Sequence, residues 1–151
     1  KNLNLIFGSL LLFWTGMHRN SESVLIDQEK NHDKNRNILS SMKNIVNQFI
    51  NLIKSKKISL DTIGNLLDEN WELKKQLADN VSNKFINKCY TEARKKGSLG
   101  GKILGAGNGG FLLLLAKKTN HKKIQKSLKK FGLERYSFKL ENSGSRIINN
   151  F

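Results

Sequence analysis

Gly100-Gly101-Lys102-Ile103-Leu104-Gly105-Ala106-Gly107-Asn108-Gly109-Gly110-Phe111-Leu112-Leu113-Leu114-Leu115-Ala116-Lys117 is the stretch on which the fold turns. Four of its glycines, Gly105, Gly107, Gly109 and Gly110, lie between two apolar runs. Glycine tolerates positive φ and lets a backbone approach another group closely. Such a cluster makes either a tight turn or a seat for something that accepts no side chain, often a phosphate-binding element. The spacing Gly105, Gly107, Gly110 matches the dinucleotide fingerprint. That fingerprint requires a helix directly after the glycines, because the helix N-terminus holds the pyrophosphate. Here the glycines lead into the short continuous apolar run Phe111 to Leu115, which ends in lysines and reads as a buried strand. A strand, a glycine loop and a second strand do not make a Rossmann site.

Working outward, residues 3–14 read as an apolar strand with a bend near Gly8 and Ser9, and Thr15-Gly16 makes the turn after it. Ser21 or Ser23 can cap a helix. A polar patch at 27–37 precedes Ile38, Met42, Ile45, Phe49, Leu52 and Ile53, which share one helix face. Ser59 or Asp61 opens a helix carrying Ile63, Leu66 and Leu67 and ending between Trp71 and Leu77. Val81, Phe85, Cys89 and Ala93 mark another, closed by Gly97. Strands are predicted near 101–106 and 110–116. Thr119 or Asn120 caps a helix with Ile124, Leu128 and Phe131 on one face, terminated by Gly132. Tyr136, Phe138 and Leu140 alternate as a strand does, and Ile147-Ile148 adds a short edge strand. This order is close to a split β-α-β repeat with helices inserted in its first half. It predicts an α+β two-layer domain, an antiparallel sheet with helices on one face.

At 151 residues the chain is one domain, large enough for its own core. Cys89 is its single cysteine, which excludes an internal disulfide and suits a reducing, cytoplasmic setting. It is expected to pack rather than react. A net charge of +15 has three readings: a nucleic-acid or membrane surface, a lysine-rich composition, or steering of anionic substrates. The lysines are scattered and lack interleaved aromatics of the RNA-binding kind, which favours composition. The apolar run at 5–14 mimics a signal peptide, but it is too short to span a bilayer and no small-residue cleavage site follows. A buried strand and no membrane partner are expected. The chain starts without Met, so residue 1 is not expected to be the native start.

The segment Lys102 to Phe111 resembles the third conserved motif of the GHMP kinases, small-molecule kinases that include galactokinase, homoserine kinase and mevalonate kinase. Leu12-Phe13-Trp14-Thr15-Gly16 with Arg19 and Ser21 is similar to a Thr-Gly-x-x-Arg segment of the sugar branch, and so is Leu67-x-x-x-Trp71-x-x-Lys74. The combination resembles the heptose 7-phosphate kinase subgroup over nearly the whole chain. Asn108 stands where glycine is commoner, and Asn tolerates the left-handed backbone.

The resemblance implies a ferredoxin-like C-terminal domain over 1–151, whose partner is an N-terminal kinase domain absent from this chain. It implies that ATP and Mg2+ are bound mainly by that missing half, along with the proposed base, so no catalytic residue and no metal ligand is assigned here and the chain alone is expected to be inactive. It makes Gly105, Ala106, Gly107, Asn108, Gly109 and Gly110 an active-site glycine loop. It makes Thr15, Gly16 and Arg19 a candidate grip on a phosphorylated sugar, since a strand end leading into a helix start favours anions and Arg binds phosphate through two parallel hydrogen bonds. The alternative is a tight hairpin beside a surface arginine. Lys102 is left open between solvent and ligand, and Trp71 is expected in the core. Asp61, Asp68, Glu69, Glu72 and Asp79 are expected to be solvated helix charges, His18 is expected to be exposed rather than catalytic, and His32 and His121 are assigned no role. A non-catalytic basic α+β module binding nucleic acid is the competing function.

Overall fold

The computed structural model describes residues 2–18, 21–56, 58–141 and Gly144. Its elements are α1 (Asn2–Phe7), β1 (Leu10–Trp14), α2 (Ser21–Lys30), α3 (Arg36–Lys54), α4 (Leu60–Lys75), a 3-10 turn (Asp79–Val81), α5 (Lys84–Lys95), β2 (Ser98–Ile103), β3 (Phe111–Ala116), α6 (Lys118–Lys129) and β4 (Glu134–Tyr136). The sheet order is β2-β3-β1-β4, with every neighbouring pair antiparallel. This is the ferredoxin-like arrangement expected from the sequence, with extra helices inserted between β1 and β2. The glycine loop is the connection of the β2–β3 hairpin.

Strand alternation divides the apolar runs between two faces. Leu11 and Phe13 of β1 and Leu112 and Leu114 of β3 enter the main core with Trp71, Ile86, Ile124 and Leu128 from the helices. Each such fully buried side chain contributes roughly 1.5–3 kcal/mol. Leu115 turns to the opposite face, into a smaller cluster with Ile6 of α1 and Ile63 of α4. Helix α4 lies along the outer strand β2 at backbone contact. A Cβ on Gly100 would stand 2.0 Å from the Gly64 carbonyl oxygen. The two glycines therefore set how closely α4, and with it Trp71 and Lys74, approaches the hairpin.

Several elements differ from expectation. Residues 2–7 form α1 rather than the start of a strand, and β1 begins only at Leu10. A short apolar run does not distinguish helix from strand by its own pattern. What decides it is Ile6 packing on Ile63 and Leu115, and the Asn2 side chain donating to the carbonyls of Ile53 and Ser55, both at 3.0 Å. Val81 belongs to the 3-10 turn, not to α5, which starts after Asn83 accepts the Ile86 N–H at 2.9 Å. Helix α6 starts at Lys118, earlier than the expected caps, and the Asn120 side chain instead donates to the Gly97 carbonyl at 3.3 Å. Strand β4 stops at Tyr136, leaving Phe138 and Leu140 exposed. Its partner β1 starts at Leu10, where the chain turns away through Gly8 into α1, so little strand remains to pair with. The expected edge strand at Ile147-Ile148 lies outside the described residues.

Candidate functional site

Every residue of the loop Gly105–Gly110 except Ala106 has positive φ, including Asn108 at 58°. A loop of this conformation is strained for ordinary residues, and here several elements hold it. Lys74 Nζ donates to the Gly105 carbonyl. Gln28 Nε2 donates to the Ala106 carbonyl at 3.2 Å. The Asn108 N–H donates to the Val81 carbonyl at 2.6 Å, and the Asn83 side chain donates to Asn108 Oδ1 at 2.8 Å. The Gly110 N–H donates to the Met17 carbonyl at 3.2 Å. Helices α2 and α4, the 3-10 turn and the start of α5 each supply a brace. The inserted helices thus serve the loop as well as the core.

Gly107 shows how tight this seat is. A Cβ there would meet the Val81 carbonyl oxygen at 2.5 Å. At Gly110 (φ +82) a Cβ would meet nothing within 4 Å, so the loop opens to space on that side. A cavity of about 350 Å3 borders it there, lined by Gly105 and Gly110 with Trp14, Met17, His18, Leu104 and Phe111. The carbonyls of Gly105, Ala106 and Gly110 are drawn toward Lys74, Gln28 and Thr15. This arrangement suits an anion-bearing neighbour, because carbonyl dipoles are satisfied from within and a lysine lies beneath the loop.

The structure brings Thr15 to the loop directly. Its N–H and hydroxyl both donate to the Gly110 carbonyl, at 3.0 and 2.8 Å. Thr15 is 5% exposed, so its hydroxyl is turned to the loop rather than to the surface. Gly16 follows at φ +74 with open space around it. Arg19 lies outside the described residues.

Lys102 is half-buried and donates to Asn70 Oδ1 at 2.9 Å, away from the glycine loop. Burial lowers its pKa. Trp71 is fully buried, as expected. Cys89 is buried too, and burial pushes its thiol up to about 11, which suppresses the reactive thiolate. Asp68 is more than a solvated helix charge. It accepts from the Tyr90 hydroxyl and stands 3.4 Å from the Arg94 guanidinium, tying α4 to α5. Burial first, and the Asp68 hydrogen bond next, raise the Tyr90 pKa. Asp61 forms an exposed pair with Lys117 at 3.2 Å, and Glu72 pairs with the half-buried Lys75 at 2.8 Å. Among the described residues no group of three or more His, Cys, Asp and Glu is placed to hold a metal ion.

Sequence reasoning missed Gln28, Val81 and Asn83 as loop braces and quoted Lys74 without a role. One signal was available. Trp71 and Lys74 are three apart on one helix, so a buried Trp71 carries Lys74 toward the interior, where a lysine needs a partner. Gln28 and Val81 act from distant segments and carry no local mark.

Residues 49–133, more than half of the chain, match the family model for the C-terminal region of GHMP kinases. A bifunctional fucokinase/GDP-fucose pyrophosphorylase of Arabidopsis thaliana is 34% identical over 113 residues, 72% of this chain and 10% of that protein. A D-glycero-alpha-D-manno-heptose 7-phosphate kinase of Campylobacter jejuni is 33% identical over 69 residues, 46% of this chain and 20% of that protein. The crystal structure of L. major mevalonate kinase in complex with R-mevalonate matches with a TM-score of 0.68 and 25% identity, over 80% of this chain and 37% of that one. The chain spans a fifth or less of these curated relatives.

Proposed function

This chain belongs to the GHMP kinase family, as its C-terminal domain, and on that premise we propose that it is one half of an ATP-dependent sugar kinase acting on a heptose 7-phosphate or a similar sugar. The observation that carries the reading is the braced loop Gly105–Gly110, held in positive φ with carbonyls turned inward and an open side at Gly110. Phosphoryl transfer depends mostly on positioning and charge neutralisation. A rigid, side-chain-free wall suits that task, because it lets phosphates and their binding loop come close. In this proposal the N-terminal half is the partner that binds most of the ATP and the Mg2+, and the enzyme is cytoplasmic. The similarity to a heptose 7-phosphate kinase, 33% identical over 69 residues, supports the substrate class. In this proposal Arg19, three residues after Gly16 in the sequence, grips the phosphate already on the sugar. The alternative of a basic nucleic-acid module finds no support in the family or the fold.

The test is to express the complete protein and incubate it with ATP, Mg2+ and a panel of heptose 7-phosphates, fucose, other hexoses and mevalonate, following ADP release. Turnover is expected with a sugar, best with a heptose 7-phosphate, and none is expected from the present chain alone. Turnover with no sugar, or preference for mevalonate, would overturn the reading.

A further inference from the structure

The sheet face opposite the main core carries a group of rings that the core does not use. Trp14 of β1 and Phe111 of β3 are directly opposed across the strands, with ring centroids 5.0 Å apart. His18 stands edge-on to Trp14 at 5.2 Å, and Tyr136 stands edge-on to Phe111 at 5.4 Å. Trp14 and Phe111 are half-buried, His18 and Tyr136 exposed. The chain's other tryptophan, Trp71, is wholly enclosed in the core. Trp14, His18 and Phe111 wall the cavity of about 350 Å3 that opens beside Gly105 and Gly110. An aromatic-walled cavity of this size is ordinary for a small-molecule site. What is particular here is its place, against the open side of the loop.

A sugar ring has a face made largely of C–H groups and a rim of hydroxyls. The C–H groups carry partial positive charge and pack well on the negative π face of an aromatic ring, and tryptophan offers the largest such face. A ring nitrogen at the rim, as in His18, can exchange hydrogen bonds with hydroxyls. An acyclic substrate such as mevalonate offers no such flat face. Backbone glycine on the adjacent side leaves room for the acceptor hydroxyl near the phosphates.

We propose that the cavity between Trp14, His18, Phe111 and the glycine loop is the sugar subsite, with the C–H face of a pyranose ring stacked on the Trp14 indole and its acceptor hydroxyl toward Gly105 and Gly110. The proposal rests on the kinase reading above and deepens it by naming the residues that select a ring-shaped acceptor.

The experiment uses the complete enzyme and the sugar that the wild type phosphorylates. Trp14→Leu raises KM for that sugar about tenfold or more and leaves KM for ATP within about twofold; Trp14→Phe, which keeps a smaller ring, falls between the two. The wild-type tryptophan fluorescence responds to the sugar, and the response shrinks in Trp14→Phe. Trp14 also packs on Phe111, so Trp14→Leu can disturb folding; exposed His18 offers a second variant, and His18→Ala raises the sugar KM several-fold in a folded protein. Unchanged sugar KM in Trp14→Phe and His18→Ala overturns the subsite while leaving the kinase reading intact. A rise in ATP KM instead makes the shelf a nucleotide site and also overturns it. If the wild type phosphorylates no sugar, the kinase reading fails first and the subsite falls with it.

Discussion

Lys74 is the residue whose charge is most deeply committed to the loop, 9% exposed with its ammonium on the Gly105 carbonyl. Lys74→Met keeps the stem and removes the donor. It is expected to cost about 1–3 kcal/mol in urea unfolding, because the carbonyl loses a charged partner. It should also lower kcat of the complete enzyme more than it changes either KM. Arg19 tests the phosphate grip. Arg19→Ala should raise KM for the phosphosugar roughly tenfold to a hundredfold and leave KM for ATP nearly alone, as expected for a charge-assisted contact. Arg19→Lys should recover only part, because an ammonium lacks the fork. Equal effects on both substrates, or none, would remove Arg19 from the site. Cys89 predicts a pH effect. Its thiol rises from 9.0 to about 11 in the fold, so the folded state holds its proton more tightly than the unfolded chain. The resulting stability is complete below pH 9 and is lost as pH rises toward 11. The melting temperature should fall over that window, and Cys89→Ala should flatten part of the fall. Identical slopes in the two proteins would contradict the assignment.

At the scale of elements, Asn83 joins local and distant structure. Its carbonyl oxygen caps α5 through the Ile86 N–H, and its amide holds Asn108 of the loop. Asn83→Ala should cost about 0.5–2 kcal/mol from the cap. Asn83→Asp preserves the cap and loses the amide donor, so urea unfolding and kcat of the pair separate the two roles. Equal kinetics in both variants and the wild type would confine Asn83 to the cap. The elements readable in sequence were those with a strong internal mark. The α3 stripe from Ile38 to Ile53, the Gly97 and Gly132 stops, and the strands around the glycines all stood out by spacing or residue type. Elements set by distant contacts did not. Helix α1 depends on Ile63 and Leu115, and the end of β4 depends on where β1 begins. Asn35 is another case. It looks like one polar residue in a polar patch, yet it is buried and donates to the Leu77 carbonyl at 2.7 Å.

Across the whole molecule, the β2–β3 hairpin is gripped by helices that come from the first crossover. Order alone gave the sheet, because a strand, inserted helices, two strands, a helix and a strand leave few topologies. The glycine loop was legible as an element that excludes side chains. Of its supports only Lys74 carried a sequence signal; the others, and the aromatic cavity beside the loop, join residues far apart in the chain, such as Gln28 with Ala106. If the loop serves catalysis as well as chain reversal, a change on it lowers turnover beyond what its loss of stability explains. Gly107 is a poor probe, because a side chain there collides with Val81. Gly110 (φ +82) and Gly132 (φ +79) form a matched pair: a Cβ meets nothing within 4 Å at either, and only Gly110 lies on the loop. Alanine at each costs about 1–2 kcal/mol from the left-handed backbone. The decisive measurement is kcat and melting temperature of the complete enzyme carrying Gly110→Ala or Gly132→Ala. Similar losses of stability are expected in both, with kcat falling roughly tenfold or more in Gly110→Ala alone. Equal and near-normal kcat in the two variants would contradict the catalytic role and reduce the loop to a hairpin.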